Sequence, residues 1–315
     1  MALNTYYTNE STGVKEAKDT IFEDVEGVIQ NISPEETPFL SSIGTSKARS
    51  VNHEWLEDVL ASPAVNAAVE GADPSMAAIT PAARLYNYTQ IFSKPFQVSG
   101  TMDAVNTIGR STESAYLLEK SLKEINLDME YAFINNASAV AGDGSTARKT
   151  KGLEGFISTN DKSYASYADT NDFSEAKFLA MAQACYAAGG KPDTLLVPPD
   201  QARKISGWNQ SNRISVNTNA SEKTLVMAVM VLDTPFGRVK VVLDLNMVQD
   251  DDSGTKYDRV YLYNPSRMSA AYLRPVKTTK LAKTGDSEKY QTVAEAAFVL
   301  HNEKAAAKTK KCATD

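Results

Sequence analysis

The sequence predicts an α+β protein that carries two projecting segments, an N-terminal arm and a long two-stranded loop. A first observation is one long amphipathic pattern, in which apolar residues recur every three or four positions between Ser114 and Asn136. A second is a set of short β-type runs elsewhere in the chain. The third is a pair of β-type runs, residues 50–60 and 85–94, separated by residues 61–84, which contain no aromatic residue and no lysine. A connection of that length is uncommon inside a compact domain and indicates a functional projection or a disordered insert.

Length and composition are those of an ordinary globular protein. The chain has 315 residues, 42% hydrophobic and 23% charged, which is enough for about two domains with a sizeable core. No apolar run approaches the roughly 18 residues that a membrane helix needs. The first ten residues lack the basic start and the apolar stretch of a signal peptide. We therefore expect the protein to remain in the cytoplasm where it is made, without membrane contact.

The net charge of −6 is concentrated at the N-terminus. Residues 1–44 hold eight acidic residues against two lysines, so the rest of the chain is close to neutral. A short basic cluster closes the chain and comprises Lys304, Lys308, Lys310 and Lys311. We interpret this cluster as a solvated terminus. The lack of a basic stripe argues against nucleic-acid binding as the main activity.

The N-terminal arm contains two short helical patterns. Residues 20–23 form a capping box, and the apolar residues that follow fall on one helical face. They are Ile21, Val25, Val28, Ile29 and Ile32. Ser33 and Pro34 then suit the start of a second helix, which Pro38 limits to one turn.

The long amphipathic pattern predicts a rod-like helix. Its apolar positions are Leu118, Leu122, Ile125, Met129 and Phe133. From Ser114 to Asn136 this helix is about 34 Å long at 1.5 Å per residue. Each strand of the two-stranded loop reaches on the order of 35 Å at about 3.3 Å per residue. Helix and loop are therefore predicted to match in length.

A mixed α/β unit is predicted after a turn-forming segment at residues 141–146. Residues 172–175 can cap a helix that Gly189 and Gly190 end, and Cys185 on this helix is expected to be a buried thiol. Short strands are predicted at residues 194–197, 238–243 and 259–263.

No catalytic, cofactor or metal site is predicted. The last predicted strand, residues 292–301, is expected to be half-buried, with Glu295 and His301 on its polar face. The chain has two histidines, His53 and His301, and both lie in strand-like surroundings without a catalytic motif, so we favour structural roles. The adjacent acids at residues 250–252 lack the alternate spacing of a calcium loop and predict an exposed turn.

The order of these parts resembles one known family over nearly the whole chain. The segments that carry the resemblance are residues 31–40, 70–73, 87–92, 98–101 and 285–305. Each is weakly specific, but their order resembles that of tailed-bacteriophage major capsid proteins. The resemblance implies the Hong Kong 97 phage capsid fold, with an N-arm, an extended β-hairpin loop, a peripheral domain with a long spine helix, and an axial domain.

Domain boundaries follow from the resemblance. It implies an N-arm at residues 1–44, an extended loop at 45–100, a peripheral domain with the spine helix at 101–150, and an axial domain at 151–277. Residues 278–315 would return to the peripheral domain and form a C-terminal tail. Arms that have no core of their own gain burial from neighbouring subunits, which fits this organisation.

The resemblance also implies how the protein works. Subunits would form pentamers and hexamers that close into an icosahedral shell around double-stranded DNA, in a virion assembled in the bacterial cytoplasm. Expected partners are other copies of the chain, a portal, and scaffold or decoration proteins. If the acidic arm lines the inner wall, it would discourage adhesion of the genome, while the basic tail would make weak, salt-sensitive DNA contacts. The candidate intersubunit contacts are Ile21, Phe22, Val25, Phe39, Trp55, Tyr86, Tyr88 and Phe92.

Two variable features of the family are also predicted. Some members crosslink through a lysine in the extended loop, but residues 56–83 contain no lysine, so we expect a non-covalent shell. With about 44 residues ahead of the loop, little room remains for a cleaved scaffolding segment, so assembly is expected to use a separate scaffold or none.

Two other functions stay open at this stage. An encapsulin nanocompartment would share the fold but hold cargo enzymes, and the phage-like N-terminal segment makes it the weaker shell hypothesis. A cytoplasmic hydrolase or binding protein with a long lid belongs to a different class, and the missing motifs disfavour it without excluding a carboxylate-based site.

Overall fold

The computed structural model describes residues 35–71, 73, 76, 81–105, 112–168, 170–208 and 231–314. The helices in this part of the chain are α1 (Pro38–Ser42), α2 (Gly100–Ala104), α3 (Glu113–Asn135), α4 (Leu153–Phe156), α5 (Glu175–Ala187) and α6 (Pro199–Gly207). Strands β1 to β6 are Gly44–Lys47, Asn52–Glu57, Ala83–Tyr88, Gln90–Ser99, Thr194–Val197 and Val231–Thr234. Strands β7 to β12 are Gly237–Leu243, Asp250–Asp252, Thr255–Tyr263, Met268–Lys280, Ser287–Leu300 and Ala307–Ala313. None of the helices described here has both the length and the hydropathy to cross a bilayer.

Helix α3 is the predicted spine helix. It has 23 residues, and its N-cap Thr112 accepts a hydrogen bond from the backbone N–H of Ala115. Its buried face includes Ile125, Met129 and Phe133, as the apolar spacing predicts, whereas Leu122, predicted on the same face, is exposed. This prediction is confirmed to within one residue at each end.

The spine helix packs on a four-stranded sheet. The strand order is β1-β10-β11-β4, with β1 parallel to β10 and the other pairs antiparallel. Phe92 on β4 contacts Phe133 on the helix, with ring centroids 6.3 Å apart. Ser121 on the helix bonds to Thr292 on β11 at 2.9 Å. These contacts place the helix over β11 and the edge strand β4.

Strand β11 is buried on both faces, so the prediction of a half-buried strand is wrong. Ala294 and Phe298 belong to the cluster under the spine helix. Val299 faces the other way and packs with Ala48 and Trp55. Glu295, expected on a polar face, is also buried. Elements distant in sequence cover the second face, and periodicity within the strand cannot reveal them.

A second sheet contains six strands. Its order is β12-β9-β5-β7-β6, with β8 added to β9. Helix α5 packs on it through Phe178, Met181 and Cys185. The predicted helix cap is confirmed, because the hydroxyl of Ser174 accepts from the N–H of Lys177. Burial raises the pKa of the Cys185 thiol to about 12, in keeping with the predicted buried thiol.

The three strands predicted in this unit are present as β5, β7 and β9. The acidic segment at residues 250–252 forms β8, which pairs with β9 through a turn. Ser253 and Gly254 hold that turn at φ values of 54° and 90°, which is the pattern of a tight hairpin. The predicted turn is therefore present at Ser253 and Gly254, whereas the three acids themselves form a strand.

The C-terminal residues form strand β12, so the prediction of a solvated basic tail is wrong. This strand pairs with β9 on one side. On the other side, Lys162 donates its N–H to the carbonyl of Lys308 at 2.8 Å. The Lys308 ammonium is buried and lies 3.2 Å from Glu154, which also pairs with Lys310 at 2.8 Å. The lysines are retained inside the fold because a buried carboxylate neutralises them.

One hydrophobic cluster joins the two sheets. It includes Phe133 from the spine helix, Phe298 from the four-stranded sheet, and Leu196 and Tyr261 from the six-stranded sheet. Strand β10 continues to Lys280, so the predicted domain change at residue 277 lies inside one strand. The domain boundaries themselves stay predictions.

Candidate assembly surfaces

The extended loop begins as a β-hairpin. Strands β2 and β3 pair antiparallel over six residues each, from Asn52 opposite Tyr88 to Glu57 opposite Ala83. The predicted pairing of the two runs is present, but the ladder reaches only about 20 Å at 3.3 Å per residue, less than expected. The difference arises because the second run divides at Thr89. Its later half becomes β4, which belongs to the four-stranded sheet.

The base of the hairpin is fixed to the body of the same chain. The fully buried Asn87 side chain donates from Nδ2 to the hydroxyl of Thr150 at 2.9 Å and to the carbonyl of Phe298 at 2.6 Å. The Trp55 ring lies 5.9 Å from that of Phe156. A buried amide with several partners holds a strand in one orientation. The hairpin therefore leaves the body in a defined direction.

Beyond this base the chain exposes large apolar side chains. Leu60, Val65 and Met76 are 93%, 97% and 91% exposed. Leu56, Val59 and Val69 are also exposed. Several large exposed apolar side chains within one segment indicate an interaction site. We name residues 56–76, as far as the structure describes them, the loop tip.

The predicted contact residues occupy different environments. Phe39 and Phe92 lie in the chain's own core, so neither has side-chain surface left for a neighbour, and these two candidates are corrected. Trp55 and Tyr88 are partly buried at the hairpin base, whereas Tyr86 is 53% exposed beside Tyr88. The candidates Ile21, Phe22 and Val25 lie outside the described residues.

Sequence reasoning missed the apolar residues of the loop tip. A signal was present, since Leu60, Val65 and Met76 stand in a segment rich in alanine and proline that offers no partner for them. Two of the predicted aromatic contacts, Phe39 and Phe92, are instead positions that the chain buries in its own core.

The end of the N-terminal arm is hydrogen-bonded to an acid of the spine helix. Glu130 is fully buried and accepts the backbone N–H groups of Phe39 at 2.9 Å and Leu40 at 2.6 Å. The Phe39 ring packs edge-on against Tyr263, with centroids 5.3 Å apart. The arm thus enters the core where the helix and both sheets meet.

The two histidines have structural surroundings. Burial lowers the pKa of His53 and of His301; the charge of His301 adds to the lowering at His53, and the charge of Arg267 adds to the lowering at His301. The N–H of His301 donates to the carbonyl of Arg267 at 3.0 Å. Among the residues that the structure describes, no three histidine, cysteine or acidic side chains converge as a metal site requires.

Residues 3–313 match the family described as SU10 major capsid protein. The chain belongs to this family. A major capsid protein of Escherichia phage Phieco32 is 28% identical over the aligned region, which covers 83% of this chain and 86% of the relative.

Solved structures share the fold of this capsid protein. The capsid of the native GTA particle superposes with a TM-score of 0.68 at 13% identity, covering 99% of this chain and 100% of that one. Mycobacterium phage Adephagia gives 0.61 at 12% identity over 93% and 96%. The SrpI encapsulin of Synechococcus elongatus gives 0.60 at 8% identity over 99% and 97%. The fold is the Hong Kong 97 type, as the resemblance implied, and at these identities the superpositions show the fold alone.

Membership in the family assigns the chain a structural role as the major capsid protein of a tailed phage. The encapsulin shares only the fold, whereas the family match concerns the sequence itself over nearly its whole length. The capsid function is therefore favoured over a nanocompartment.

Proposed function

We propose that this capsid protein assembles through pentamers and hexamers into an icosahedral, non-covalent shell that encloses double-stranded DNA. The observation that carries the proposal is the apolar loop tip on a hairpin whose base is fixed. A fixed base sets the direction of the tip, and a single chain has no described surface that covers it. A neighbouring subunit supplies that cover, and repeated contacts of this kind close into rings.

Tyr86 extends the proposed contact surface toward the hairpin base. It is the most exposed of the aromatic candidates that the structure describes, and it stands edge-on to Tyr88 at 5.7 Å. Aromatic side chains with a polar tip are enriched at protein interfaces. We place the intersubunit contact along the hairpin from Tyr86 to the loop tip.

The proposal of a non-covalent shell rests on the absence of lysine from the distal part of the loop. Residues 56–83 contain no lysine, so this distal part of the loop offers no amine for an amide crosslink. A denaturing gel of purified particles should show one band near 34.2 kDa. A ladder of linked subunits would contradict this part of the proposal.

Contact with DNA through the C-terminal lysines is not part of the proposal. Lys308 and Lys310 are committed to Glu154 inside the fold, and Lys311 donates to the carbonyl of Ala165 at 2.9 Å. The buried Lys308 amine is therefore unavailable to phosphate groups, and Lys310 and Lys311 are already engaged within the chain. We propose that the DNA is retained by enclosure, with a portal and any scaffold or decoration protein as further partners in the host cytoplasm.

Electron microscopy of the purified full-length protein tests assembly directly. We expect uniform shells or capsomer rings, both when the chain is expressed alone and when it is expressed with its phage's own assembly proteins. Monodisperse monomers under both conditions would overturn the proposed assembly.

A further inference from the structure

The loop tip is acidic as well as apolar. Residues 56–76 contain Glu57, Asp58, Glu70 and Asp73, and they contain neither lysine nor arginine. Glu70 and Asp73 are exposed, and neither forms an ion pair with a described residue. A surface that buries this tip must therefore supply cations, because a carboxylate that loses its water without gaining a partner is destabilising.

One face of the four-stranded sheet is covered at one end only. Successive side chains of β11 point to opposite faces, and Thr292 points to the spine helix, where it bonds to Ser121. Val293 therefore points away from the helix, and it is partly exposed. On the edge strand β4, Ile91 is 48% exposed. Trp55 packs on Val299 at the other end of this face, so the end around Val293 has the surface available for a partner.

The available end of this face is basic. Lys277 on β10 and Lys289 on β11 point to it by their register, and neither forms an ion pair with a described residue. Arg148 and Arg274 share the single carboxylate of Glu295, at 2.7 Å and 2.8 Å. Four cations and one acid leave a net formal charge of +3. We name the surface formed by these five residues the basic face.

Other acids close to the sheet are already paired. Glu288 points to the spine-helix side, and its carboxylate lies 2.7 Å from the ammonium of Lys280. Asp286 lies in the turn between β10 and β11, 3.7 Å from Lys283. These pairs cancel each other's charge and leave the positive charge of the basic face uncompensated.

We propose that the basic face receives the acidic loop tip of a neighbouring copy, with Lys277 and Lys289 opposite Glu70 and Asp73. This inference rests on the proposed assembly function and names the surface that the loop tip needs. The two lysines are four positions apart in the strand register, which is about 13 Å at 3.3 Å per residue. Three residues of extended chain separate the two acids by about 10 Å. The spacings therefore match, and a contact between two different surfaces is the kind that closes into rings.

Charge reversal on each side tests the contact. One chain carries Lys277→Glu with Lys289→Glu, a second carries Glu70→Lys with Asp73→Lys, and a third carries all four substitutions. Each two-site variant should raise the protein concentration needed for shell assembly roughly tenfold at about 0.1 M salt, because like charges then face each other. The four-site variant should assemble as the wild type does. The urea midpoint of the unassembled protein should be the same in all of them, since none of the four side chains has an ion pair within the described chain.

A mixture of the two two-site variants tests whether the contact joins different copies. In a hexamer that alternates the two variants, every loop tip meets a basic or reversed face of opposite charge. We therefore expect hexameric rings in electron micrographs of the mixture under conditions in which neither variant assembles alone. A four-site variant that assembles while the mixture does not would show that the contact lies within one chain, and this would refute the proposal.

The control is Lys240→Glu with Lys256→Glu, which changes the net charge equally on exposed lysines of the six-stranded sheet. It should assemble as the wild type does. Normal assembly of the Lys277 and Lys289 variant would overturn the inference, and so would intact shells of that variant that no longer retain DNA, since the face would then contact the genome. Leu60→Ser with Val65→Ser tests the loop tip separately, so loss of shells in that variant alone would leave the proposed function standing.

Discussion

At the scale of single residues, Glu295 shows how a charge can organise the four-stranded sheet. It lies in the middle of β11, is 3% exposed, and accepts from Arg148 at 2.7 Å, Arg274 at 2.8 Å and the hydroxyl of Thr89 at 2.8 Å. Three separate segments thus converge on one carboxylate. Thr89 is also the residue at which the hairpin ends and β4 begins, so this acid helps to define where the hairpin leaves the body.

Replacement of Glu295 by alanine should therefore destabilise the fold strongly. Removing the acid leaves two arginines without their shared partner and a buried hydroxyl without its acceptor. We expect a loss of roughly 3 kcal/mol in the free energy of unfolding, measured by urea denaturation of the unassembled protein. The matched control is Glu54→Ala, another strand acid, whose partner Arg84 is exposed. Glu54→Ala should lower the free energy of unfolding by less than about 1 kcal/mol. Equal losses for the two variants would contradict the assigned role of Glu295.

At the scale of elements, the C-terminal strand completes the six-stranded sheet. Strand β12 lies between β9 and residues 160–164, and it brings Lys308 and Lys310 to the buried Glu154. Its burial pattern is that of an interior strand, with Ala307, Cys312 and Ala313 all buried. The chain end therefore contributes to the core of the sheet.

A chain that stops before Ala307 should fail to form a stable fold. Truncation removes the hydrogen bonds on both sides of β12 and leaves Glu154 as a buried carboxylate without either lysine. We expect the truncated protein to be insoluble or to lack a cooperative urea transition. A second chain that lacks only residues 314–315 is the control and should behave as the full-length protein does. A soluble chain ending at residue 306 with an unchanged urea midpoint would show that β12 is dispensable.

These elements also show how far sequence reasoning reaches. The spine helix and α5 could be predicted, because their apolar spacing and their caps at Thr112 and Ser174 are local properties. Strand β12 could not, since its lysines resemble a solvated tail unless the position of Glu154 is known. The second buried face of β11 was missed for the same reason, because Trp55 and Arg148 come from distant segments.

At the scale of the whole molecule, the described part of the chain combines a shared hydrophobic cluster with an apolar segment that it leaves uncovered. The cluster around Phe133 and Phe298 ties both sheets to the spine helix. The loop tip is different, since Leu60 and Val65 are almost fully exposed. Burying a leucine or valine side chain is worth about 1.5–3 kcal/mol. An assembly that repeats such a contact around a ring can therefore be stabilised by a segment that adds nothing to the fold of one subunit.

A polar replacement in the loop tip should consequently separate assembly from folding. The double variant Leu60→Ser with Val65→Ser removes apolar surface that has no intrachain partner, so the urea midpoint of the unassembled protein should be unchanged. Shell yield should fall, because each neighbour contact loses about 3 kcal/mol or more of apolar burial. Shells would be quantified by sedimentation and electron microscopy. The comparison variant is Leu245→Ser, an exposed apolar residue of the body outside the loop. If Leu245→Ser reduced shell yield as much as the tip variant while leaving the fold intact, the loop tip would have no special role in assembly. If the tip variant formed shells in undiminished yield, the loop tip would not be part of the subunit contact.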